Sequence, residues 1–234
     1  MQAIILAGGL GTRLRSVVSD RPKPMALVEG KPFLEYVLQG LKKSGIDDII
    51  FAVGYKGGMV EEYFGDGSRF GIRARYAYEE ELLGTAGAIK NAGKYVTDEQ
   101  FFVLNGDTFY QMDFGDLSRI QQEKNLEMAL VLRGVPDISR YGAARLTDGL
   151  LTAFNEKNGN TGAGTINGGV YLMKRALLDE IPEGKVSLEN ECIPRWMQEG
   201  RRLGGIVNGG YFDIGVPEDY FRFQEDVRKG DITW

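Results

Sequence analysis

The sequence predicts an α/β protein: a mostly parallel, mixed sheet covered by helices on both faces, three layers in all. Three observations predict it. Apolar runs of strand length alternate with longer amphipathic segments. The first run, Ala3-Ile4-Ile5-Leu6, opens directly into Gly8-Gly9-Leu10-Gly11-Thr12-Arg13. Leu6, Val53 and Leu104 each precede a polar or glycine-rich turn, and in such sheets ligands bind outside the carboxyl ends of the strands.

The elements follow in order. Strands are expected at 2–6, 49–53, 72–77 and 101–104, with helices between them. The clearest helix runs from Pro32 to Ser44. Pro32 suits a first turn, Phe33, Val37 and Leu41 recur at four-residue spacing beside Leu34 and Leu38, and Gly45 closes it. Segments 57–64 and 85–92 are less periodic helices, and another lies near 115–124. The pattern then changes. Strands at 127–133, 143–146, 151–155 and 168–173 follow with short links, then helices at 174–180 and 189–199, a strand near 203–207 and a last helix from Pro217 to Val227. Ser187 is placed to cap the helix after it. With no internal repeat or low-complexity linker, residues 1–234 read as one domain.

Composition removes whole classes of chemistry. The chain has no histidine and one cysteine, so a His-based triad, a His/Cys zinc site and an intrachain disulfide are all excluded. Cys192 lies among Glu189, Asn190 and Glu191, acidic company expected to raise its pKa, and reads as structural. Any metal must be a hard cation held by oxygen, with Mg²⁺ first in line. The net charge of −5 argues against a nucleic-acid partner. No apolar run approaches the ~20 residues of a membrane span, and residues 1–7 carry neither a basic leader nor a cleavage signature. The expected compartment is therefore the cytoplasm, with no membrane partner; the sequence leaves the oligomeric state undetermined.

The 33 glycines of 234 residues are about twice the usual ~7%. Those at 8, 9 and 11 bring backbone N–H groups close to a ligand with no side chains in the way. The run is neither the dinucleotide fingerprint G-x-G-x-x-G nor the P-loop G-x-x-x-x-G-K-[ST]. Arg13 and Lys23 add fixed positive charge, and Pro22 and Pro24 stiffen the chain on either side of Lys23. A plain surface turn needs no such mount for a lysine. This is an anion-handling device of the kind a triphosphate requires.

These segments resemble the sugar-phosphate nucleotidyltransferases. The matching text is LAGGLGTRL (6–14), PKPM (22–25), GKPFLEYVL (30–38), LGTAGAI (83–89), NGDT (105–108), NGGVYLM (167–173) and YFDIGVPEDY (211–220), in family order over nearly the whole chain. The stretch from Arg15 to Gly45 looks most like the D-glycero-α-D-manno-heptose 1-phosphate guanylyltransferases. The resemblance implies the Rossmann-like nucleotide-diphospho-sugar transferase fold, with residues 1–125 forming mainly the nucleotide half and 126–234 mainly the sugar-phosphate half. It implies a reaction of GTP with a sugar 1-phosphate that releases pyrophosphate and needs Mg²⁺. Enzymes for mannose 1-phosphate, or for UTP or dTTP, are the alternatives.

The resemblance also implies roles by position. Arg13 is expected at the β/γ-phosphates and Lys23 at the α-phosphate and the incoming sugar phosphate. Leu6, Ala7, Gly8, Gly9, Gly11 and Thr12 are expected along the nucleotide, with Gly84, Thr85, Asn105, Gly106 and Asp107. Asp107 and Asp213 match the Mg²⁺ carboxylates. Glu79, five residues before Gly84, aligns with the base-reading position, where relatives using uridine or thymidine triphosphates carry glutamine. A carboxylate accepts from both N1–H and N2–H₂ of guanine and has nothing to donate to O4 of uracil or thymine. On the sugar side the matches are Tyr141, Gly142, Glu156, Lys157, Asn167 and Gly168; the segment Ser187-Leu188-Glu189 has two readings, the helix cap and an approach to the sugar's outer end. Leu82, Leu83 and Ala86 depart from the heptose pattern, which often has Pro and a second Gly there.

Overall fold

The computed structural model describes residues 1–139, 142–154 and 161–232. Strand β1 (Gln2–Leu6) is buried except at its last residue. Two 3₁₀ turns follow, Thr12–Leu14 and Lys23–Met25, and then a hairpin of β2 (Leu27–Val28) and β3 (Lys31–Pro32). Its two turn residues, Glu29 and Gly30, both have positive φ, as a tight hairpin with right-handed strand twist needs. Helix α1 (Phe33–Lys43) buries Phe33, Leu34, Val37, Leu38 and Leu41. Pro32 ends the hairpin in an extended conformation just ahead of the helix, rather than lying in its first turn.

The expected alternation continues through β4 (Asp48–Val53), α2 (Gly58–Phe64), β5 (Arg73–Tyr78), α3 (Gly84–Gly93) and β6 (Gln100–Asn105). After β7 (Thr108–Tyr110) and α4 (Gly115–Glu123) come β8 (Met128–Val135), β9 (Ala144–Thr147), β10 (Leu150–Phe154) and β11 (Gly164–Lys174). The chain closes with α5 (Leu177–Glu180), α6 (Ile193–Gln198), β12 (Leu203–Val207), β13 (Tyr211–Asp213) and α7 (Pro217–Lys229).

Two expected helices are shorter than the sequence suggests. The one at 174–180 loses its first residues to the sheet: Lys174 ends β11 and donates its N–H to Glu127, and Arg175 donates to Glu99. The one at 189–199 divides. Pro194 has no N–H to give the preceding turn, which widens to a π-helical turn over Leu188–Cys192, with the Cys192 N–H on the Ser187 carbonyl; α6 starts after it. Ser187 caps that turn as expected, accepting the Asn190 N–H at 3.1 Å.

Nine strands form one sheet in the order β5-β4-β1-β6-β11-β8-β12-β10-β9. β10 and β11 run against the other seven, so the sheet is mixed but mostly parallel. Alternation along β1 sends Ala3 and Ile5 into the core beneath α1, and Ile4 into a second core with Ile89 of α3 and Trp196 of α6. Helices therefore cover both faces, the expected three layers. Among the described residues no helix is long and apolar enough to cross a membrane.

A small ladder stands apart from this sheet. β7 pairs antiparallel with β13, setting Thr108 opposite Asp213. Phe223 of α7, fully buried, fixes the ladder from behind: its ring lies 5.6 Å from Phe109, 5.5 Å from Phe212, 5.0 Å from Phe33 and 5.7 Å from Tyr36. Phe223→Ala is expected to cost about 3–5 kcal/mol of stability, the range for a buried aromatic truncated to leave a cavity. Urea denaturation measures it, and a loss below about 1 kcal/mol would remove Phe223 as the hub of this packing.

Candidate active site

Three strand ends build a floor in which backbone touches backbone. Ala7 donates its N–H to Ala52 at 2.8 Å, Gly106 to Leu6 at 2.9 Å, and Tyr55 to Gly8 at 3.4 Å. A Cβ on Gly106 would stand 2.7 Å from the Leu6 oxygen, and one on Gly54 would stand 3.0 Å from the Gly8 oxygen. Only glycine permits turns this close. Ala7 and Gly106 are thus buried supports behind the surface. Above them opens a cavity of about 390 Å³ lined by Leu6, Gly8, Gly9, Gly11, Thr12, Arg13, Lys23, Glu79, Gly84, Thr85, Asn105 and Asp107. Pro24, Leu82 and Ala88 also line it and were not assigned from the sequence, although each lies in or beside a segment read there.

The two cations are mounted differently. Leu14, fully buried, anchors the loop carrying Arg13. Arg13 itself is exposed, and among the described residues no hydrogen bond or ion pair holds its guanidinium, so it is available to an anion. Lys23 is 7% exposed, in the 3₁₀ turn between Pro22 and Ala26. Gly11, at φ +59°, lets the glycine loop pack onto the Lys23 side chain, where a Cβ would stand 3.0 Å from Lys23 Cβ. The Lys23 ammonium forms an ion pair with Asp107.

Asp107 follows β6 in the turn to β7, and the Ile214 N–H donates to its carbonyl at 3.1 Å. The β7–β13 ladder therefore brings Asp213 to the residue beside Asp107, although the two are far apart in sequence. The Gly215 N–H donates to Asp213 Oδ1. The pair is an all-oxygen donor set suited to a hard dication, with positions left over for phosphate oxygens and water. Among the described residues no group of three or more His, Cys, Asp or Glu side chains comes together.

Glu79 leaves the end of β5 and reaches back over the glycine loop. Its N–H donates to Val53 at 2.8 Å, its Oε2 accepts the Leu83 N–H at 3.1 Å, and a Cβ on Gly8 would overlap its carboxylate. Burial pushes the carboxyl above its ordinary range, partly offset by the Leu83 amide. Its neighbours Glu80 and Glu81 are exposed. Of three adjacent glutamates, then, one alone faces the cavity. Thr85 sits at the start of α3, its hydroxyl donating to Glu189 Oε2 at 2.6 Å and accepting the Leu188 N–H at 2.8 Å.

On the other side, Asn167 and Gly168 lie on β11 where its register against β8 shifts between Asn167 and Tyr171. The Gly169 N–H donates to Asn167 Oδ1 at 3.1 Å, and Gly169, at φ +74°, packs on Asn105. That contact links the β11 turn to the cavity wall. Gly142 precedes the Ala143–Ile166 bridge, which carries it toward the same end of β11. Tyr141, Glu156 and Lys157 lie outside the described residues. Cys192 is buried and its thiol is pushed up to about 11; burial is the main cause, and the acidic neighbours Glu191 and Glu189 add to it as expected.

A family model described as "Nucleotidyl transferase" matches residues 2–230. The chain is 40% identical to a D-glycero-alpha-D-manno-heptose 1-phosphate guanylyltransferase of Aneurinibacillus thermoaerophilus, over 97% of this chain and 99% of that one. It is 42% identical to an enzyme of the same description from Campylobacter jejuni, over 95% and 98%. Its fold matches the crystal structure of HddC from Yersinia pseudotuberculosis complexed with GMP-PN, at a TM-score of 0.83 and 34% identity, over 97% of this chain and 99% of that chain.

The β11 turn yields a direct test. A Cβ on Gly168 would overlap the Tyr110 hydroxyl and stand 2.8 Å from the Val131 carbonyl oxygen. Gly168→Ala is expected to cost about 1–3 kcal/mol by overpacking, with Tyr110→Phe in the same chain recovering part of that loss. Thermal unfolding of the two single variants and the double variant reads the coupling; strictly additive losses would contradict the contact.

Proposed function

Because the chain belongs to the nucleotidyl transferase family, we propose that it joins GTP to D-glycero-α-D-manno-heptose 1-phosphate, giving GDP-D-glycero-α-D-manno-heptose and pyrophosphate. The observation that carries the nucleotide side is the cavity over the β1, β4 and β6 ends, lined by glycine backbone, Arg13, Lys23 and Glu79. The heptose reading draws support from full-length likeness to two heptose 1-phosphate guanylyltransferases.

A phosphate oxygen of the sugar 1-phosphate attacks the α-phosphorus of GTP. The new O–P bond forms as the bond to the β-bridging oxygen breaks, and pyrophosphate leaves with that electron pair. The nucleophile is already anionic, so no general base is required, and a chain without histidine can run the step. The protein's task is alignment and charge neutralisation. Arg13 holds the β/γ-phosphates with its planar fork. Lys23 turns from Asp107 to the α-phosphate and the incoming phosphate. Asn167 and Gly168 border the sugar, with Glu156 and Lys157 assigned to its hydroxyls and phosphate by family position. Asp107 and Asp213 would hold Mg²⁺, which when bound neutralises phosphate charge.

The reading is tested by pyrophosphate release across GTP, UTP, dTTP, CTP and ATP, each with heptose, mannose and glucose 1-phosphates. GTP with the heptose 1-phosphate is expected to give the highest kcat/KM, about tenfold over mannose 1-phosphate from hydrogen bonds the smaller sugar leaves unmade. EDTA is expected to abolish turnover, and Mg²⁺ to restore it. Equal or better efficiency with mannose 1-phosphate overturns the sugar assignment alone, and a preferred base other than guanine overturns the base.

Glu79 gives the base assignment its own pH signature. The ionised carboxylate accepts two guanine donors; the neutral acid does not. Since burial raises its pKa, kcat/KM for GTP is expected to fall as pH drops through that value, at a pH above the ordinary glutamate range. Glu79→Gln should flatten this acid limb and lower GTP efficiency about tenfold, the worth of one bidentate base contact. A variant that keeps the wild-type acid limb would remove Glu79 from the role.

A further inference from the structure

A chain of side-chain hydrogen bonds runs from the nucleotide cavity to the sugar-side turn, and the functional reading above leaves its central member without a task. Thr85, on the cavity wall, donates to Glu189 Oε2 at 2.6 Å. The Tyr171 hydroxyl donates to the other carboxylate oxygen, Oε1, at 3.0 Å. Asn167 Nδ2 donates to that same hydroxyl at 2.6 Å. Ser187, the cap of the π-helical turn, adds a bond to Oε2 at 3.3 Å. Tyr171 is fully buried, and burial holds its phenol well above the ordinary range, so its one proton stays and points to Glu189. Asn167 then meets an oxygen lone pair, which fixes its amide with Nδ2 toward Tyr171 and Oδ1 toward the Gly169 N–H.

The backbone explains why Asn167 needs this support. β11 pairs with β8 up to Asn167 and again from Tyr171, and the register shifts between them. Gly168 and Gly169 lie in that gap, Gly169 at φ +74°. The β8 ladder therefore breaks at the turn, β6 takes up β11 only from Val170, and the Asn167 side chain bonds across the gap.

We propose that Glu189 is a positioning residue: through Tyr171 it sets the orientation of Asn167 for the sugar 1-phosphate, while its second oxygen fastens the same turn to Thr85 at the start of α3. The inference rests on the reading of this site as a sugar-1-phosphate nucleotidyltransferase and deepens it on the sugar side. Two sequence-distant elements share one carboxylate, so each oxygen has its own tie.

Two conservative variants separate the ties. Tyr171→Phe deletes one buried oxygen and leaves Asn167 Nδ2 without its acceptor. Glu189→Gln keeps an acceptor for Tyr171 but loses the one that takes the Thr85 proton. Steady-state kinetics on the full chain, with the wild type's own preferred nucleotide and sugar 1-phosphate, read the result. Tyr171→Phe is expected to raise KM for the sugar 1-phosphate about tenfold, with KM for the nucleoside triphosphate within about twofold of wild type. Glu189→Gln should raise the sugar KM less than Tyr171→Phe does, and Glu189→Ala at least as much. Should Tyr171→Phe fail to fold, the Glu189→Gln and Glu189→Ala pair carries the same ordering. An unchanged sugar KM, or parallel rises in both KM values, overturns the proposal while leaving the nucleotidyltransferase reading intact. A wild-type chain inactive across the whole substrate matrix overturns that reading, and the positioning role with it.

Discussion

Close approach of backbone to backbone at the carboxyl end of β1 is the constraint on which the site depends. The Leu6 carbonyl takes the Gly106 N–H, the Gly8 carbonyl takes the Tyr55 N–H, and any side chain at Gly54 or Gly106 would push these turns apart. Because β4 and β6 both pair parallel with β1, three strands end at one level and their turns converge. The glycine loop, the Asn105–Asp107 turn and the Glu79 segment are all registered by that convergence. Arg13, Lys23, Asp107 and Glu79 come from four parts of the chain, yet each hangs from this floor within a residue or two of a strand end or a short turn.

Charge is the second organising quantity. The chain is acidic overall, and the proposed substrates are polyanions. The conflict is handled locally: Lys23 is buried against Asp107, and Arg13 stands exposed at the rim. Lys23 and Asp107 form an ion pair, which keeps a buried ammonium from standing uncompensated. Under the proposed function, a phosphate in the cavity would offer Lys23 another anionic partner and leave Asp107 beside Asp213 as an oxygen pair.

Much of this was legible in the residues. The order of the four main strands and the helices from 2 to 124 is a matter of local periodicity and agrees with the structure to within a few residues, whereas the short β2, β3 and β7 were not expected. The glycine loop and the lysine held between prolines announce close backbone approach and a stiffened cation, features that depend on neighbours in sequence alone. The illegible parts share one property. Glu189 lies between Leu188 and Asn190 in a segment whose residues suggest a helix cap, and its partners Thr85 and Tyr171 lie 104 and 18 residues away. Helix 189–199 reads as continuous by its apolar spacing, but Pro194 withholds one N–H and the turn before it widens.

By itself the sequence determined that the chain alternates strand and helix, that glycine backbone and two cations follow the first strand closely, and that histidine side chains and an intrachain disulfide play no part. Those conclusions rest on side-chain identity and short-range spacing, which are written directly in the chain. Tertiary structure alone decided that β11 runs antiparallel through the middle of the sheet, that β7 and β13 form the ladder by which Asp213 reaches Asp107, that Glu189 links Thr85 to Tyr171, and that burial governs the Cys192 thiol. Each is a matter of which distant segments pair and in what register. A one-residue slip in that pairing turns a side chain to the opposite face, so no local pattern can carry the information.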